Sequence, residues 1–104
     1  MSFNGNEGEF VTLNDASRWT ANYRNTIQLG DVIAFAAGKE KLIELLNQDE
    51  CLGARIYYAI KDDGEKNLVI VGVDENGDDM ESGLLIDRLE TCPPKCPKKN
   101  SLNS

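Results

Sequence analysis

Apolar residues recur at intervals of three and four through Phe10, Leu13, Ala16, Trp19, Tyr23 and Ile27. That is the stripe of an amphipathic helix. Thr12 followed by Asp15 is a weaker form of the capping box, which normally carries Glu or Gln at the third position. A helix is therefore predicted over 13–24. Gly30 and Asp31 mark a turn, and Val32 to Ala37 is equally consistent with a short buried strand or a helix start. Gly38 is a poor residue for a helix interior and sets a boundary. Beyond it, Leu42, Ile43, Leu45 and Leu46 face inward while Lys39, Lys41 and Glu44 face outward, which predicts a second helix over 39–48.

The period then changes to two. Over 54–61, Ile56, Tyr58 and Ile60 point one way and Arg55, Tyr57 and Ala59 the other. Asp62-Asp63-Gly64-Glu65 is a turn signal. The run 68–73 is almost wholly apolar, as expected of a central strand covered on both faces. Helices would cover one face; the tail, the N-terminal arm or another copy would cover the other. A second turn at Glu75-Asn76-Gly77-Asp78 leads to a short third strand at 84–87. The pattern predicts an α+β fold, two helices packed on a three-stranded antiparallel sheet, with a docked cysteine-containing C-terminal tail. Residues 1–8 form a flexible arm, 9–91 a single α+β domain and 92–104 a Cys/Pro/Lys tail. Pro93 and Pro94 stiffen that tail, which suits docking at a fixed place; the end of the second helix, near Cys51, is the expected one.

Length and charge narrow the partners. The chain has 104 residues, 40% of them hydrophobic, which is enough for one core. Its 11 basic and 18 acidic residues give a net charge of −7, and it has no histidine. Triads and Cys-His pairs that need an imidazole are thereby excluded, as are His-based zinc sites and histidine pH switches. The tail holds three of the 11 basic residues and none of the 18 acidic ones, leaving a balance of −10 in the body. Such a body repels phosphate backbones, so nucleic acid is not an expected partner. No run approaches a membrane span, so no membrane is expected either. The start of the chain lacks the basic and apolar regions of a secretory signal, which points to the cytoplasm.

Several stretches carry a resemblance. They are Trp19…Asn22-Tyr23-Arg24, Gly38-Lys39-Glu40, Gly53-Ala54-Arg55-Ile56-Tyr57-Tyr58, the run Leu68 to Asp74 with Gly77-Asp78-Asp79, and Cys92-Pro93-Pro94-Lys95-Cys96 with Asn100-Ser101-Leu102. Together, from about Phe10 to Leu102, they resemble a group of small single-domain bacterial proteins ending in a Cys-Pro-Pro-x-Cys tail. The resemblance implies a compact one-domain protein, attaches no activity to it and carries over no catalytic residue.

Candidate chemistry is incomplete at each place. Cys51, Cys92 and Cys96 could serve a soft metal, but a closed zinc site needs a fourth ligand that no further Cys or His supplies. A thioredoxin-type pair has two intervening residues, whereas Cys92 and Cys96 have three. A disulfide between two of the three is open, as is simple packing of small apolar thiols. With free tail thiols, Cys92 and Cys96 would react before Cys51. Asp74, Asn76 and Asp78 match the first positions of a calcium loop, but its glycine is Asp79 and its final Glu is Leu85. The acidic turn 74–81 therefore reads as a solvated rim. Gly38-Lys39 lacks the rest of a phosphate loop. Asp62-Asp63 and Asp78-Asp79 lie in turns, where water keeps carboxylates ordinary. Arg55 and Tyr57 share a strand face and form either an interaction patch or a cross-strand cover.

The expected function is a non-catalytic protein-interaction or structural module, self-association included, with no cofactor and no catalytic or metal residues. The alternative is a small metal-binding or thiol-redox protein using Cys51, Cys92 and Cys96. A hydrolase or isomerase working through acidic residues is weaker.

Overall fold

The computed structural model describes residues 3–104, with seven elements. These are α1 (Leu13–Arg24), β1 (Ala34–Ala36), α2 (Lys39–Leu46), β2 (Gly53–Ile60), β3 (Lys66–Val73), β4 (Leu85–Ile86) and β5 (Glu90–Cys92). The α+β class holds, with two helices and a three-stranded antiparallel sheet in the order β2-β3-β4. The ambiguous segment after Gly30 is extended and supplies β1. It pairs with β5 in a second, two-stranded sheet that the periodicity did not predict. The described residues divide into two compact units, one of residues 3–7 and 35–90, the other of 8–34 and 91–104.

The first unit is built on β3. Gly53↔Val73 through Ile60↔Lys66 set the register of β2 on β3, and Ile70↔Ile86 with Val71↔Leu85 set that of β4. Ile70 and Val71 leave opposite faces of the strand, and each is buried, so both faces of β3 are covered as its composition requires. On the Ile70 face α2 contributes Leu45, which is fully buried, and Leu89 closes the cluster. Phe35, Leu42, Leu68 and Ile86 pack around these three. Helix α2 begins at Gly38, an extended N-cap residue with no side-chain hydrogen bond, and ends two residues before the predicted 48. Gln48, beyond that end, turns back: its Nε2 donates to the Leu45 carbonyl and its Oε1 accepts from the Leu84 N–H. A Cβ at Gly83 would crowd that oxygen, so a side chain there would push the Gln48 amide away from the Leu84 N–H.

Asn67 is the buried polar residue of this unit, 7% exposed. Where β4 no longer pairs with β3, its Oδ1 accepts from the N–H groups of Leu68 and Leu89, and its Nδ2 donates to the Leu89 carbonyl. One side chain thus does the work of a missing strand segment, and among the described residues no buried side-chain polar atom is left unpaired. Of the N-terminal arm, residues 1–2 lie outside the described residues. Phe3 sets its ring where a Cβ on Gly53 would fall, 2.8 Å away.

The second unit is α1 and the tail. Thr12 caps α1 by accepting from the Asp15 N–H at 3.1 Å, and Asp15 pairs with Arg18 at 2.9 Å. The cap and the apolar stripe are both local signals, and the predicted and observed bounds coincide. The tail docks on this helix: the Arg24 guanidinium donates to the carbonyls of Leu102 at 2.5 Å and Ser104 at 2.6 Å. Ile33 N–H donates to the Cys92 carbonyl at 2.7 Å. This corrects the expectation that the tail is held at the end of α2.

Candidate functional site

Strand β2 is an edge strand of the three-stranded sheet, and its outer side pairs with no other strand among the described residues. Just beyond the strand ends the Lys61 N–H donates to the Glu65 carbonyl at 2.7 Å, continuing the β2–β3 register. Antiparallel bonding alternates, so the backbone groups of odd-numbered residues on β2 point to β3. Those of Ala54, Ile56, Tyr58 and Ile60 point out along the free edge.

The side chains of the same residues are apolar and exposed: Ile56 is 57%, Tyr58 95% and Ile60 72% accessible. Their cross-strand partners are Ile70, Leu68 and Lys66, of which Ile70 belongs to the buried core. The alternation over 54–61 correctly put these three on one face, but edge position leaves that face open at β2. An eight-residue edge with apolar side chains and unpaired backbone groups is a template for another strand.

Arg55 and Tyr57, the residues singled out from the sequence, stand on the opposite face and converge on Asp79. Arg55 Nη1 bonds Asp79 Oδ1 at 2.5 Å and the Gly77 carbonyl at 3.1 Å, and the Tyr57 hydroxyl donates to Asp79 Oδ2. The Tyr57 hydroxyl first, and the Arg55 guanidinium second, hold the Asp79 carboxyl below the usual carboxylate range. The same carboxylate raises both Tyr57 and Arg55 above their ordinary values. Each group is thus fixed in its usual charge state, which suits an anchor for β2 better than an acid or base at neutral pH. Lys61 and Asp87 make a second such pair at 2.6 Å, and it lowers Asp87.

Within the acidic turn, Asp74 caps its own loop. Asp74 Oδ1 accepts from the N–H groups of Asn76 at 2.9 Å and Asp78 at 3.1 Å, while Gly77 supplies a positive φ of 81°. Of the turn's carboxylates, Asp74 is thus turned to its own backbone and Asp79 to Arg55 and Tyr57. At the other turn, Asp63 Oδ1 accepts from the Glu65 N–H.

The cysteines divide. Cys92 and Cys96 are joined by a disulfide, with Cys92 buried and Cys96 exposed. Cys51 is the free thiol; it packs against the core and its Sγ donates to the Gly53 carbonyl at 3.2 Å. In this disulfide form the tail sulfurs are bonded to each other, and Cys51 is the thiol left to react. Among the described residues, no three of Cys, Asp and Glu are grouped to hold a metal ion.

The second unit holds a cleft of about 490 Å³ between α1 and the tail. Trp19 and Tyr23 form one wall, Pro97 and Leu102 the other, with Ile33 and Cys92 between them. Arg24 lines it, but its guanidinium is engaged with tail carbonyls.

No helix among the described residues is long and apolar enough to cross a membrane. No family model matches the chain, and neither a curated protein nor a solved structure matches it.

Proposed function

We propose that the protein is a non-catalytic interaction module that engages a partner by adding an extended segment to the free edge of β2. The observation that carries this is the coincidence, at Ile56, Tyr58 and Ile60, of exposed apolar side chains with outward-pointing backbone groups. Backbone pairing supplies affinity, and the alternate side chains supply selectivity. The Asp79 anchor supports the same role by fixing the strand from its other face. A cytoplasmic setting belongs to this proposal, and alkylating the thiols of fresh extract tests it: reduced Cys92 and Cys96 are expected there.

The test of the edge uses short extended peptides that alternate Val with Thr or Lys. Titration should shift the amide resonances of Ala54, Ile56, Tyr58 and Ile60 more than those of Arg55, Tyr57 and Ala59. Tyr58→Pro, which removes an outward N–H and no bond to β3, should abolish the effect. Binding that ignores Tyr58→Pro, or no binding of any such peptide to monomeric protein, removes the edge from consideration.

The closed Cys92–Cys96 bond favours the thiol-redox form of a second role over its metal form, since both sulfurs are already bonded. Equilibration with a dithiol buffer reads it: a potential within the cytoplasmic range supports redox function, and resistance to reduction makes the bond structural.

A further inference from the structure

We propose that the segment added to the β2 edge is β2 of a second copy, paired antiparallel about a two-fold axis at Tyr57; the inference rests on the edge being an interaction surface. Outward backbone groups on even-numbered residues restrict the register, because bonded pairs must join even to even. Centring the axis on Tyr57 sets Ile56 opposite Tyr58 of the other copy, twice, and Ala54 opposite Ile60, twice. Every residue from Ala54 to Ile60 then has a partner in one continuous six-stranded sheet. Arg55 meets Ala59, so no like charges face each other across the new ladder. Centring on Tyr58 instead would set Ala54 and Arg55 against Asp62 and Lys61 of the other copy, which lie beyond the end of the strand.

Charge selects the same surface. Each copy carries −7, so two copies repel over most approaches. Strand β2, Gly-Ala-Arg-Ile-Tyr-Tyr-Ala-Ile, contains no acidic residue, and its single cation is neutralised by Asp79. An acid-free, self-complementary edge on an acidic chain fits a copy of itself, and the contact closes as a two-fold dimer. The exposed stripe Ile56, Tyr58 and Ile60 becomes a six-residue apolar band across the axis.

The experiment is sedimentation equilibrium of the full chain and two double variants, with folding of each checked by circular dichroism. The wild type is expected to sediment at twice 11.5 kDa. Ile56→Lys with Tyr58→Lys sets lysine against lysine at both central pairs and should halve the mass. Ile56→Glu with Tyr58→Lys sets opposite charges at the same pairs and should restore the dimer. A dimer that survives the double lysine variant, or a charge-swapped variant that stays monomeric, overturns the inference. A monomeric wild type that still binds the alternating peptides at β2 overturns the second copy alone, whereas a monomer that binds none of them overturns the edge as well.

Discussion

Ile56 on β2 stands directly across from Ile70 on β3, and the two are 57% and 3% exposed. They share a sheet face, yet α2 buries one and leaves the other in water. The difference is position alone: β3 is central and β2 is an edge. A chain that keeps Ile56, Tyr58 and Ile60 at such an edge, without the lysine or proline that usually blunts one, has a surface suited to pairing.

Asn67 should be costly to replace. Asn67→Leu keeps the volume but strips Leu68 and Leu89 of three hydrogen bonds at a buried position. A loss of about 1–3 kcal/mol is expected in urea denaturation, from the unsatisfied backbone groups. An unchanged midpoint would show that water replaces the amide.

Leu45→Ala should cost about 2–5 kcal/mol, since a fully buried leucine on α2 leaves a cavity against Ile70 and Leu89. Ile56→Ala, directly across the sheet, should change the stability of the monomer far less. Equal losses at the two positions, measured below the association range, would contradict the edge assignment.

Much of this was legible along the chain, and the reasons differ by element. Helix α1 carries both its cap at Thr12 and its stripe locally, so its bounds could be read directly. Strand β5 could not, because Glu90-Thr91-Cys92 has no alternation and is extended through pairing with β1. Asn67 precedes an apolar run and looks like a turn residue, since its use in place of β4 depends on Leu89 being near. Ile56, Tyr58 and Ile60 were placed on the right face, but exposure follows from strand order and the reach of α2. The partner of Arg55 and Tyr57 is Asp79, more than 20 positions away and hidden within an acidic turn.

The Asp79 anchor predicts a pH dependence with a definite sign. Its folded pKa is depressed, so its contribution is present above the unfolded value of about 3.9 and is lost as pH falls through the folded value. Asp87, lowered by Lys61, acts in the same window. Asp79→Asn should therefore reduce, and Asp79→Asn with Asp87→Asn flatten further, the fall in melting temperature on acidification below about pH 4. An acid limb as steep as the wild type's in both variants would contradict these assignments.

Reduction should loosen the second unit. In the disulfide form one thiol per chain, Cys51, titrates after unfolding, and three titrate after reduction. Closing a loop of five residues restrains the unfolded chain by about 2 kcal/mol, so reductant should lower stability by that order. Three titratable thiols in purified, air-equilibrated protein would contradict the bond.

The most direct measurement of the β2 edge is residue-resolved amide exchange at two protein concentrations. In dilute protein, Ala54, Ile56, Tyr58 and Ile60 should exchange fast while Arg55, Tyr57 and Ala59 are protected by β3. At high concentration the even-numbered amides should become protected too. Even-numbered amides already protected at dilution, or still unprotected at the highest concentration, would contradict an open edge that pairs with a second copy.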